Sequence, residues 1–100
     1  MEFDFIINIP KKKRKKMLDK RKWLDTKNLH LRHNRVCIVC GSTFFLEVHH
    51  IKPIAKFPEL SYEPTNLVTL CRKGKNCHLV HGHLGNFNNH NENILLLKKF

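Results

Sequence analysis

Acidic residues are scarce in this chain: eight Asp and Glu stand against nineteen Lys and Arg, a formal net charge of +11 over 100 residues. That imbalance points to a polyanion partner, with nucleic acid the first expectation and an anionic membrane surface the second. No apolar run approaches the length of a membrane span, which excludes a spanning helix. The opening residues are partly apolar, but Glu2 and Asp4 lie among them and the basic run follows them. That order is wrong for a secretory signal, so an intracellular, reducing setting is expected. Cysteine is confined to four positions with none spare, and no internal repeat is visible. The hydrophobic fraction, 41%, is ordinary for a globular protein and argues against wholesale disorder.

One hundred residues make one small domain. Such a chain buries a limited share of its surface, so a metal staple would help it fold. Residues 1–35 read as a basic N-terminal arm or helix and residues 36–100 as the folded unit that carries the chemistry. Phe3, Phe5 and Ile7 alternate with Glu2, Asp4 and Ile6 and suit a short edge strand or docking arm. Met17, Leu24 and Leu31 recur every seven residues with Leu18 and Trp23 alongside, predicting a helix over 14–31 with one apolar stripe. Trp23 could pack inward or stack on a base, and inward packing is favoured.

Phe44, Leu46 and Val48 alternate with Phe45, Glu47 and His49, the period-two pattern of a strand. Pro53, Pro58 and Pro64 mark 52–65 as a loop, and Leu67 to Leu70 reads as a second short strand. A short helix is expected from Cys77 or His78 to about Gly85, and an apolar-basic closing helix from Ile94 to Phe100.

In a reducing compartment, paired cysteines read as metal ligands more readily than as disulfides. Cys37 and Cys40 are spaced x2, and Cys71 and Cys77 are spaced x5 with Gly74 available for the turn. Two such knuckles brought together supply the four soft ligands of a tetrahedral structural zinc. Gly41 fits the tight turn of the first knuckle. The alternatives are buried free thiols, or Cys37, Cys40 and Cys71 completed by a histidine such as His78.

The remaining histidines suit a second, open metal site. Phosphodiester hydrolysis needs a deprotonated water, neutralised phosphate charge and a stabilised leaving oxygen. An imidazole titrating near neutrality can take the water proton, and a cation on neighbouring imidazoles can supply the rest. His49 and His50 are adjacent, so strict strand alternation would send them to opposite faces. His30, His33 and His90 have no such company and are left as structural or solvent-facing.

Taken in order, Cys37-x2-Cys40, Leu46-Glu47-Val48-His49-His50-Ile51-x-Pro53, Asn66-Leu67-Val68-Thr69-Leu70-Cys71 and Cys77-His78 resemble the HNH endonucleases, an α+β, ββα-metal (His-Me finger) fold. His78-Leu79-Val80-His81-Gly82-His83-Leu84-Gly85-Asn86-Phe87 resembles a phage-type subgroup of that family. The resemblance covers about residues 37–91 and leaves the basic N-terminal quarter outside. It implies that His50 is the general base, that His49 and His78 bind the catalytic metal, and that Asn66 braces the loop between the strands. A further ligand commonly lies four residues after His78. Here that position is Gly82, flanked by His81 and His83, and the Gly-His-Leu-Gly order favours His83 with His81 as the alternate.

The implied activity is metal-dependent endonuclease cleavage of DNA, leaving 5′-phosphate and 3′-hydroxyl ends. The ion could be Mg, Mn, Ni or Zn. Lys11, Lys12, Lys13, Arg14, Lys15, Lys16 and Arg21 would track phosphates, which carry no sequence information. The resemblance places the protein in the cytoplasm, bacterial or phage-encoded. It extends to a packaging role beside a terminase, and two-strand cutting would call for a homodimer or sequential nicking. The rival reading is a non-catalytic, zinc-ribbon-like nucleic-acid-binding module, which leaves the order of His49, His50, Asn66, His78 and His83 unexplained.

Overall fold

The computed structural model describes residues 18–100. The expected N-terminal strand or arm, the basic run Lys11–Lys16 and the first residues of the expected helix lie outside the described residues.

Helix α1 runs Lys20–His33, starting later and ending later than the apolar spacing predicts. Asp19 sets the start: its extended backbone leaves the helix, and its Oδ1 accepts the Lys22 N–H at 2.9 Å. Arg32 lies in the last turn, where its positive charge complements the helix dipole. Asn34 Nδ2 then donates to the His30 carbonyl at 2.9 Å. The expected stripe through Leu24 is corrected. Leu24 is 49% exposed, and the half-buried positions are Trp23, Thr26, Lys27, His30 and Leu31. These follow the i, i+3, i+4, i+7, i+8 order of one helix face, although three of the five are polar. No residue of α1 is fully buried.

Strands β1 (Leu46–His50) and β2 (Leu67–Cys71) pair antiparallel, with Leu46 opposite Cys71 and His50 opposite Leu67. β1 starts at Leu46 because Phe45 takes a left-handed φ of 53°, which ends the alternation that Phe44 and Phe45 suggest. All five residues of β2 are buried, so both of its faces are covered. Thr69, fully buried, donates its hydroxyl to the Asn34 carbonyl at 2.8 Å and so ties the end of α1 to β2. The first knuckle lies beside the same strand, with Ile38 N–H donating to the Thr69 carbonyl at 3.1 Å.

A two-stranded hairpin alone is marginal in water. Here it is backed by a small core of Cys37, Ile38, Ile51, Val68, Leu70, Cys71, Cys77 and Ile94. Three of these eight are cysteines, so the core and the thiol cluster are largely one structure. The chain end returns to the knuckle: Lys99 N–H donates to the Ile38 carbonyl at 2.7 Å. Gly41 is required here by its φ of 77°.

The 16-residue connection between the strands holds two 3-10 turns, Pro58–Leu60 and Pro64–Asn66, each begun by proline at its first position. Two expected helices are shorter than the sequence suggests. After Cys77 the chain forms a π-helical turn, His78–Gly82, and the closing segment forms only a 3-10 turn, Ile94–Leu97. In the closing segment only Ile94 is buried, leaving no apolar face to sustain a longer helix.

Candidate active site

The four cysteines converge from both ends of the hairpin. Their sulfur atoms all lie within 4.8 Å of one another. Cys40 and Cys71 sulfurs are 3.6 Å apart, too far for a disulfide, and all four are free thiols. Sulfurs about 2.3 Å from a tetrahedral zinc stand roughly 3.8 Å apart, so the donor set and its spacing fit that ion. Cys77 N–H donates to the Cys71 sulfur at 3.4 Å. Burial raises the Cys77 thiol pKa, and the shared S–H contacts with Cys71, Cys37 and Cys40 raise it further. For Cys37, burial also acts upward, but backbone N–H groups of Cys40, Cys71 and Val39 outweigh it and bring the thiol down to about 7. Cys37 is therefore drawn toward the thiolate while Cys40 and Cys77 are held toward the thiol, a conflict that a divalent cation would remove.

The histidine cluster begins one residue later. His49 on β1 and His78 and His83 at the ends of the π turn bring one ring nitrogen each within 4.8 Å of the others. The His83 N–H donates to the His78 carbonyl at 3.0 Å, the i→i+5 bond of a π turn. That extra residue per turn stacks position 83 over position 78, where a regular helix would stack position 82. Gly82 fills the displaced position, and a Cβ there would lie 2.9 Å from Leu70 Cδ1 and 3.2 Å from both Cε1 and Nε2 of His49. The ring of His49 thus takes the space that a side chain at 82 would need, and His83 completes the triad. His81 is not part of it; its carbonyl accepts from Asn91 Nδ2 at 3.1 Å.

His83 Nδ1 meets the Asn89 carbonyl at 2.8 Å, so Nδ1 carries the proton and the Nε2 lone pair is left for the cluster. His83 Nε2 lies 3.1 Å from His78 Nε2, and His49 Nε2 is buried with no hydrogen-bond partner. A buried orphan donor atom beside two imidazole nitrogens is the signature of a site shaped for a cation. Burial, then the neighbouring histidines, lowers His49 to about 2 and His78 to about 4. Both are neutral at neutral pH, the form that binds metal.

His50 leaves the strand on the other side. Its ring stacks on Trp23, centroids 4.6 Å apart and planes 23° from parallel. Its Nε2 lies 2.8 Å from the Ser61 carbonyl, so Nε2 carries a proton and donates it there. Even so, His50 is near enough to bear electrostatically on His49 and His90. Asn66 is buried in the neck of the loop. Its Oδ1 accepts the Lys52 N–H at 2.8 Å, and its Nδ2 donates to the carbonyls of Lys52 and Leu60 at 3.2 and 3.3 Å. Asn66 therefore holds the residue preceding the carbonyl that holds His50.

Two neighbours were not expected from the sequence. His90 stacks on His49 at 5.2 Å and meets His83 edge-on at 4.6 Å. Residues on either side pin it: Asn89 through its carbonyl to His83, and Asn91 through its N–H to the Gly82 carbonyl at 2.9 Å. Trp23 packs inward as favoured, but its partner is His50 rather than the core. Arg21 is exposed on α1.

The fold and site define a small ββα-type unit with two potential metal centres, one of thiols and one of imidazoles. Residues 37–84 match the family model for HNH endonuclease. No curated protein and no solved structure matches the chain. The family carries nuclease activity and metal binding as its general chemistry. Among the described residues, no helix is long and apolar enough to cross a membrane.

Proposed function

We propose that the protein is a divalent-metal-dependent DNA endonuclease in which His50 is the general base and His49, His78 and His83 are the metal ligands. One observation carries this reading: three imidazole nitrogens meet at a buried point while the adjacent residue, His50, is held through its Nε2–H on the Ser61 carbonyl. A divalent ion, when bound there, neutralises phosphate charge and stabilises the departing 3′ oxygen. His50 Nδ1 takes a proton from the attacking water, the hydroxide oxygen bonds to phosphorus as the P–O3′ bond breaks, and the departing 3′ oxygen takes a proton from solvent, leaving 5′-phosphate and 3′-hydroxyl ends. The Ser61 carbonyl steadies the imidazolium so formed, because Nε2–H already donates to it. Asn66 fixes the loop that presents that carbonyl. The thiol cluster takes a structural zinc, closed by four ligands and with no position for substrate. The basic N-terminal segment supplies affinity through phosphate contacts, and cleavage of both strands requires a second copy or successive nicks.

The test is conversion of supercoiled plasmid to nicked and linear forms with added Mg, Mn, Ni or Zn. Wild type should cleave, and EDTA should stop it. His50→Ala should fall by about 10²–10⁴-fold while keeping zinc and DNA affinity. Folded, zinc-loaded, DNA-binding wild type that fails to cleave with every added metal would favour the non-catalytic binding module instead.

A further inference from the structure

Helix α1 lies outside the segment that matches the family, and its basic residues give it a ready role in affinity. The contacts of α1 say more. Trp23 is the only tryptophan, and it lies nearly flat on the ring of His50. The N-terminus of the same helix grips the segment that holds the other edge of that ring. Asp19 N–H donates to the Tyr62 hydroxyl at 2.7 Å, and Lys22 Nζ sits 4.4 Å from the Tyr62 ring centre. Tyr62 follows Ser61, whose carbonyl takes the His50 Nε2–H. Ser61 is itself 2% exposed and fixed by its hydroxyl to the Pro58 carbonyl at 2.6 Å. The helix therefore reaches His50 by two routes, directly through Trp23 and indirectly through Tyr62 and Ser61.

A hydrogen bond at Nε2 fixes one point of an imidazole and leaves rotation about the N···O line. A flat ring against its face removes that rotation. Together the two contacts fix where Nδ1 points, the quantity on which proton transfer from a water depends. An indole placed only to shield the core would be expected among aliphatic neighbours. Trp23 instead remains half-buried with its face given to one polar ring.

We propose that Trp23 is a positioning residue for His50, so that the working unit of the nuclease includes α1. The inference rests on His50 being the base. It is tested in the full chain with Trp23→Phe, which keeps a flat ring, and Trp23→Met, which keeps bulk without one. The expected result for Trp23→Met is a kcat lower by about 10–100-fold with KM, zinc content and affinity for the second metal unchanged. Trp23→Phe should restore most of the rate. Independently of activity, emission from Trp23 should change in His50→Ala at constant fold, because the stacked imidazole is gone. This reading needs no Trp23 variant to fold. Equal kcat in Trp23→Met and wild type, a loss confined to KM, or unchanged emission would overturn the inference. A fully active His50→Ala would overturn the base assignment and this inference with it. An inactive His50→Ala beside an unimpaired Trp23→Met would overturn this inference alone.

Discussion

Gly82 and His49 share one space: a Cβ on Gly82 would sit 3.2 Å from the Cε1 and Nε2 atoms of the imidazole. Gly82→Ala should therefore push the His49 ring away from His78 and His83. The backbone at 82 asks for no special φ, so the effect is purely steric. Overpacking of this kind costs about 1–3 kcal/mol. The expected outcome is a lower melting temperature and clearly weaker binding of Ni or Mn outside the thiols, read by calorimetry. Unchanged metal affinity would show that His49 is not a ligand.

Removal of the thiol-bound metal should unfold the domain. Three cysteines belong to the eight-residue core, and Cys71 is the last residue of β2. A strong chelator, or Cys71→Ala, is expected to abolish the cooperative thermal transition followed by circular dichroism, since metal binding and folding are linked. Stripped protein that melts as before would make the cluster a set of buried free thiols.

Asn66→Ala should destabilise the domain by about 1–3 kcal/mol, because Lys52 N–H and the Leu60 carbonyl lose their partner. It should also lower kcat, since Leu60 precedes Ser61, whose carbonyl holds His50. Denaturant unfolding and single-turnover cleavage measure the two effects. A stability loss with full kcat would confine Asn66 to a structural role.

Acid should weaken the zinc-loaded domain that lacks a second metal. His49 and His78 have folded pKa values of about 2 and about 4, both below the ordinary 6.5. The unfolded chain therefore binds protons that the folded one refuses as pH falls below 6.5. Stability present above that pH is lost as pH falls, the His78 share down to about pH 4 and the His49 share down to about pH 2, where each folded ring protonates. The slope is at most about 1.4 kcal/mol per pH unit for each histidine. Urea midpoints at pH 7.5, 6 and 5 should fall less steeply in His78→Gln than in wild type. Equal slopes would mean that His78 is not held neutral by the fold.

The sequence revealed the parts that are local in the chain. Both strands and the two knuckles follow from spacing and period, and the order of His49, His50, Asn66 and His78 from the family resemblance. His83 over His81 was legible only by resemblance; its physical reason, a π turn that shifts the stacking position by one residue, depends on the His49 ring packed against Gly82. Trp23 and His90 were out of reach for a related reason. Their partners lie 27 and 41 residues away in sequence, and no periodicity links a helix face or an Asn-rich loop to those rings. The closing helix failed because apolar residues such as Leu96, 84% exposed, found no surface to cover them.

Cys77 and His78 are neighbours in the chain, yet one belongs to the sulfur cluster and the other to the imidazole cluster. The two centres therefore compete for ions on unequal terms. Thiolates take soft, thiophilic metals in preference to imidazoles, and the sulfur cluster sits at the heart of the core. With a soft ion held by the thiols, the imidazoles would be left to harder divalent ions, so filling the first centre would set which metal the second receives.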